Sequence, residues 1–145
     1  MTATRVQEWI ERLREIAPAL GIPRVEGLAE YVTADMDLDR LPAIWVLPVS
    51  HDVTREPPVR EETWRYAVII ALRSARQRER DTRLLTGVEA LCGAIREHLE
   101  SWQAGELCGR EIEYERGEGR GLDDAGHVFF WQQTYAERIT LLDGE

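Results

Sequence analysis

The sequence predicts an α+β fold, a mostly antiparallel sheet of about four strands packed against two main helices, in the order α-β-β-α-β-β. Three observations predict it. Apolar residues recur at helical spacing near the N-terminus and again over Asp81–Trp102. Ala43–Val49 and Thr63–Arg73 are rich in β-branched and aromatic residues. The last third alternates apolar and charged residues around a Gly-rich turn and then runs out in a long aromatic stretch.

In the first helix, Thr4-Arg5-Val6-Gln7 has the form of a capping box, in which Thr4 caps and Gln7 reaches back. Val6, Trp9, Ile10, Leu13, Ile16 and Ala17 then form one stripe, with Glu8, Glu11, Arg12 and Glu15 opposite. Pro18 and Gly21 close the helix. Ile22–Tyr31 reads equally as a weak strand or a turn of helix. An acidic loop, Asp35–Asp39, leads through Leu41-Pro42 into the strand Ala43–Val49, where Pro48 marks an edge position or a strand exit. Asp52–Glu62, with Pro57-Pro58, reads as an exposed connection.

Thr63–Arg73 is apolar on both faces in its centre, which predicts a central strand. A polar linker follows, and then the second helix, near Asp81–Trp102, with Leu84, Leu85, Val88, Leu91, Cys92, Ile95, Leu99 and Trp102 on one face. Ile112 and Tyr114 alternate with Glu111, Glu113 and Glu115, the pattern of a half-buried strand. His127–Leu142 is far longer than a typical strand of about six residues. It therefore either bends at a bulge or projects to pair with another chain.

Length and composition fit one domain over residues 1–145. The net charge is −9, and all 18 basic residues are arginine. Without lysine, a P-loop lysine, a Schiff-base lysine and lysine-containing nuclease motifs are excluded. Acidity argues against a general DNA-binding surface, which needs clustered positive charge. No segment reads as a membrane span, and the acidic amphipathic start is unlike a targeting peptide, so an intracellular protein without membrane attachment is expected. The two cysteines, Cys92 and Cys108, show no metal-ligand spacing and read as reduced.

Each constellation with chemical potential has a plainer reading. Asp35-x-Asp37-x-Asp39 begins like a calcium loop, but the required Gly and Glu are replaced by Arg40 and Val46. Asp123, Asp124 and His127 surround a Gly-rich turn and resemble turn chemistry more than a metal site. His51, His98 and His127 are scattered, and Ser50-His51-Asp52 are adjacent on a strand end, so their side chains point to different faces. Glu113 and Glu115 share a strand face opposite Ile112 and Tyr114 and therefore look to solvent. Gly117-x-Gly119-x-Gly121 is not followed by a helix, as a dinucleotide fingerprint requires. No catalytic residue, cofactor or metal is expected. The one basic cluster, Arg73, Arg76, Arg78, Arg80 and Arg83, suits docking to an acidic surface, including another copy of the chain.

The order of features resembles the tail terminator (tail completion) proteins of contractile-tailed phages, the Mu-type group. The resemblance runs from the N-terminal helix through Leu41-Pro42-Ala43-Ile44-Trp45-Val46-Leu47-Pro48, the β-rich Trp64–Leu72 and the helix ending at Leu99-Glu-Ser-Trp102. It continues through Ile112–Tyr114, Asp123–Gly126 and the aromatic strand with Trp131, Tyr135 and Leu142. That family often shows Gly-Trp-x-Pro after the helix, where this chain has Ser101-Trp102-Gln103-Ala104.

The resemblance implies a structural virion protein without enzymatic activity. It would form a hexameric ring at the head-proximal end of the tail, assembled in the host cytoplasm. The ring caps the tail tube, stops its polymerisation and offers a surface to the head-tail connector. Its partners would be other copies, the tail tube protein and a connector or neck protein, with DNA passing through but not specifically bound. A neck component is the neighbouring reading. A small metal-dependent hydrolase or nuclease using Asp123, Asp124, His127, Glu113 or Glu115 is a more distant one. A ring needs strand edges that neighbours complete, for which Ala43–Val49 and His127–Leu142 are the candidates. The expected contact residues are therefore Phe129, Trp131, Tyr135, Ile139 and Leu141, together with the arginine cluster.

Overall fold

The computed structural model describes residues 5–28, 31, 40–73, 78–102, 110–122 and 128–142; of 78–87, 110 and 142 it describes the backbone alone. Two helices and five strands follow in the order α1 (Arg5–Leu20), β1 (Arg24–Glu26), β2 (Ala43–Glu56), β3 (Val59–Arg73), α2 (Arg78–Trp102), β4 (Arg110–Leu122) and β5 (Val128–Leu142). The strands form one sheet in the order β1-β2-β3-β5-β4. Only β1 runs parallel to its neighbour; the other pairs are antiparallel.

The fold is thus α+β with two helices among the described residues, as expected, but the sheet has five strands and not four. The ambiguous segment after α1 supplies the fifth, pairing Arg24, Val25 and Glu26 with Ala43, Ile44 and Trp45. Asp52–Glu62 is not a loose connection: β2 continues to Glu56, and Glu56 pairs with Val59 across Pro57-Pro58. β2 passes Pro48 by a bulge between Pro48 and Ser50. Beyond Trp45, β2 has no described strand on its outer side. Proline is tolerated at such an edge because its missing N–H costs no ladder bond.

The final strand requires the largest correction. β5 does not project from the domain. It lies between β3 and β4 and pairs with β3 over its whole length, from Val59↔Leu142 to Arg73↔Val128. Its unusual length is matched by β3, which is equally long at 15 residues. Strand length here reflects a long ladder within the chain.

Both helices contribute to one core with the sheet. Trp9, Ile10, Leu13 and Ala17 of α1 and Leu91, Ile95, Leu99 and Trp102 of α2 pack with Ile44, Val46, Tyr66, Val68, Ile70, Ile112 and Tyr135. α1 ends in a Schellman motif: Ile22 N–H donates to the Ala17 carbonyl at 2.9 Å and Gly21 N–H to the Pro18 carbonyl at 3.3 Å, with Gly21 at φ +68°. The helices are tied by reciprocal bonds, Arg12 Nη2 donating to the His98 carbonyl (3.1 Å) and His98 Nε2 to the Arg12 carbonyl (2.9 Å). A smaller cluster on the reverse side of the sheet gathers Ala43, Trp45, Ile69, Ala71 and Val128, with Tyr31 and Phe130 against it.

Three polar side chains inside this core are satisfied in specific ways, whereas the buried Trp131 Nε1 has no hydrogen-bond partner among the described residues. Glu137 is fully buried, accepting from Trp9 Nε1 at 3.0 Å and from Arg5 Nη1 at 2.8 Å. Tyr135 Oη donates to Gln133 Oε1 at 2.9 Å, and Gln133 Nε2 donates to the Cys92 carbonyl at 3.2 Å. Buried polar groups are tolerated when bonded in this way. Gly117 is required by close approach. A Cβ there would collide with Tyr114 Oη and lie 2.7 Å from the Trp131 ring.

Two stability predictions result. Arg5→Ala leaves a buried carboxylate short of its cation and should lower unfolding free energy by about 2 kcal/mol. Glu137→Gln, still able to accept the indole proton, should cost less; urea unfolding followed by tryptophan fluorescence measures both. Gly117→Ala should destabilise by about 1–2 kcal/mol through overpacking, read in the same assay.

Candidate subunit interface

The bare end of the sheet is built from its strand registers. Asp52 pairs with Thr63, Thr63 with Arg138 and Arg138 with Glu111, so one row crosses β2, β3, β5 and β4. The next row in the same sense is Ser50, Arg65, Ala136 and Glu113. Toward the tip, β2 loses its cover: Val49 is 57% and Val53 42% exposed. The charged side chains here are cross-linked. Arg65 bonds Asp52 and Glu115, each at 3.1 Å, and Arg138 bonds Glu113 at 2.8 Å. Exposed pairs of this kind contribute little stability but hold side-chain geometry.

The five expected contact residues of β5 fall on a single face, because Phe129, Trp131, Tyr135, Ile139 and Leu141 occupy alternate positions. That face is the core side. Tyr135 is fully buried beside Trp9 (ring centroids 5.8 Å apart), and Trp131 packs against the same cluster. Ile139 is also buried, whereas Phe129 and Leu141 are half-exposed. Reading these aromatics as an exposed edge is therefore corrected for Tyr135, whose ring is already taken up by α1. Arg73 is exposed at the end of β3. Arg76 and the side chains of Arg78, Arg80 and Arg83 lie outside the described residues, as do Asp35, Asp37, Asp39, Cys108, Asp123, Asp124 and His127.

The side chains considered for catalysis are engaged elsewhere. His51 stacks on Trp64 at 4.0 Å and its Nε2 lies 2.8 Å from Glu62, whereas Asp52 bonds Arg65. His98 is committed to the Arg12 carbonyl. Glu113 is paired with Arg138 of the neighbouring β5, and Glu115 with Arg65 of β3, one strand further on. Among the described residues no group of three His, Cys, Asp or Glu is placed to hold a metal ion. An open cleft of about 320 Å³ beside β1 is lined by Arg14, Arg24, Glu26 and Arg40 with apolar neighbours, and offers no nucleophile. Arg14 donates twice to the Val25 carbonyl, at 3.2 and 2.9 Å, and Arg24 is paired with Glu26. No described helix is long and apolar enough to cross a membrane.

Two features escape a linear reading. One is the Trp9–Glu137–Arg5 contact, signalled only by a glutamate in phase with the core residues Gln133 and Tyr135. The other is the identity of the open edges, which depends on strand order.

Among the described residues, His51 and His98 are tied into structural contacts and the sheet ends in edges without a further described strand. The model of the phage tail terminator protein family matches residues 1–141, and the chain belongs to that family of structural phage tail proteins. It is also similar to a chain in the virion of a native gene transfer agent (GTA) particle, at 12% identity. That alignment covers 96% of this chain and 100% of the other, with a TM-score of 0.57, and shows a shared fold. No curated protein sequence matches it.

Burial governs the one cysteine described. Desolvation pushes the Cys92 thiol up from 9.0 to about 12, and burial raises the Tyr135 phenol as well. The unfolded chain loses these protons first, so their contribution is intact below pH 9 and is lost as pH rises toward 12. The urea midpoint should accordingly fall across that window. In a Cys108→Ser variant at pH 8, a disulfide reagent should label Cys92 slowly in the native protein and rapidly in urea.

Proposed function

We propose that this chain is the subunit of a ring, six copies round, that caps the finished tail tube, ends its polymerisation and presents a surface to the head-tail connector. The family match over residues 1–141 carries this reading. Its partners are further copies of itself, the tail tube protein and the connector or neck protein; its place is the head-proximal end of the tail, reached after assembly in the host cytoplasm. It acts without catalysis, cofactor or metal.

The physical properties of the chain support the assignment. A ring of identical subunits needs heterologous contacts, in which two different surfaces meet. The sheet offers different strands at its two edges. Six copies carry six times −9 in formal charge, and a channel of that sign does not retain passing DNA by its phosphates. Phe129 and Leu141, half-exposed on β5, and Arg73 serve as contact residues in this reading, while Tyr135 and Ile139 support them from the core.

Purified protein mixed with polymerising tail tube protein should halt elongation, and negative-stain images should show six-fold rings on tube ends. A strict monomer that leaves tube length unchanged would sink the proposal. Binding to the head side alone, with normal tube length, assigns the chain to the neck instead.

A further inference from the structure

Among the described residues the sheet has two open edges, and they are related in direction and in height. β2 is exposed on its outer side beyond Trp45, because β1 covers only Ala43–Trp45. Within that stretch, Pro48 and the adjacent bulge blunt the first part and leave Ser50–Glu56 regular. At the opposite edge, β4 is interrupted by register shifts between Tyr114 and Arg116 and between Gly119 and Gly121, leaving Arg110–Tyr114 regular. Proline and bulges are the usual means of keeping an edge from pairing. Here they leave Ser50–Glu56 on one edge and Arg110–Tyr114 on the other, the latter longer than the regular stretch Arg116–Gly119 between the two shifts.

These two segments lie at the same end of the sheet. The row through Asp52 ends at Glu111, and the row through Ser50 ends at Glu113. Directions alternate across β2, β3, β5 and β4, so β2 and β4 run oppositely. Rotation about an axis along the strands preserves direction. It therefore brings β2 of one copy antiparallel to β4 of the next, at equal height.

We infer that successive copies join edge to edge, Ser50–Val53 of one pairing antiparallel with Arg110–Glu113 of the next, so that the sheet continues from subunit to subunit. The inference rests on the ring reading and names its contact. Equal height means no rise per copy, which is what a closed ring requires once the rotation of the ring reading is applied. A foreign strand would complete one edge and leave the other bare; a second copy supplies the matching edge each time. The contact would also cover Val53, 42% exposed within its own chain. In the seam Asp52 lies opposite Glu111 of the next copy and approaches it already paired with Arg65, while Glu113, paired with Arg138, lies opposite Ser50. Like-charge repulsion across the seam is thereby reduced.

The test places Asp52→Cys and Glu111→Cys together in a Cys92→Ala, Cys108→Ser background. The protein is assembled with tail tubes and treated with a short bismaleimide, which reaches diagonal as well as direct cross-strand neighbours. The expected result is a ladder of covalent oligomers converging on one closed species, with either single-cysteine chain remaining monomeric on the gel. Dimers from a single-cysteine chain indicate a two-fold contact and overturn the inference. Rings seen by microscopy without cross-links also overturn it, and leave the terminator reading intact. A chain that neither cross-links nor caps tubes overturns both. Hydrogen exchange on the unaltered protein gives an independent reading: alternate amides in 50–53 and 110–113 should slow on ring formation. Unchanged exchange there in assembled rings is inconsistent with the pairing.

Discussion

The contact between Trp9 and Glu137 governs how the helices lie on the sheet. The Trp9 ring sits 4.5 Å from Tyr66, 5.8 Å from Tyr135 and 6.2 Å from Trp102, so it touches both long central strands and the second helix at once. Its N–H ends on a carboxylate that has no exposure to water, and Arg5 supplies the opposing charge. A buried carboxylate without such partners costs several kcal/mol. α1 is thereby held at one height along β5, with its first turn beside Glu137. The register row of Glu137 contains His51, Trp64 and Ile112. Beyond that row every β2 residue is exposed.

The position of β5 has the wider consequence. An aromatic strand of 15 residues with one free side would be an aggregation hazard. Between β3 and β4 it is satisfied on both sides, and its helix-facing residues become core. The open edges then fall to β2 and β4, whose regular stretches are polar and carry ion pairs.

His51, His98, Glu113 and Glu115 each have a structural partner. What the molecule presents is backbone and shape at the sheet's ends, with family membership indicating the use to which they are put.

The sequence by itself determined the class of fold, both helices, the central position of Thr63–Arg73 and the resemblance to tail terminators. Those depend on local periodicity: Trp9, Ile10 and Leu13 on one face of a helix, or Ile112 and Tyr114 alternating with glutamates, are visible within a short window. Only the tertiary structure decided which strands are edges. A long aromatic strand looks the same in sequence whether it projects or is sandwiched, because period-two alternation reports faces and not neighbours. β1 was ambiguous for a related reason: three residues are too few to show a period, and Arg24–Glu26 is a strand only because Ala43–Trp45 lies beside it. The Glu137 site required the same information, since Trp9 and Glu137 are 128 residues apart and meet only when the helix is laid on the sheet.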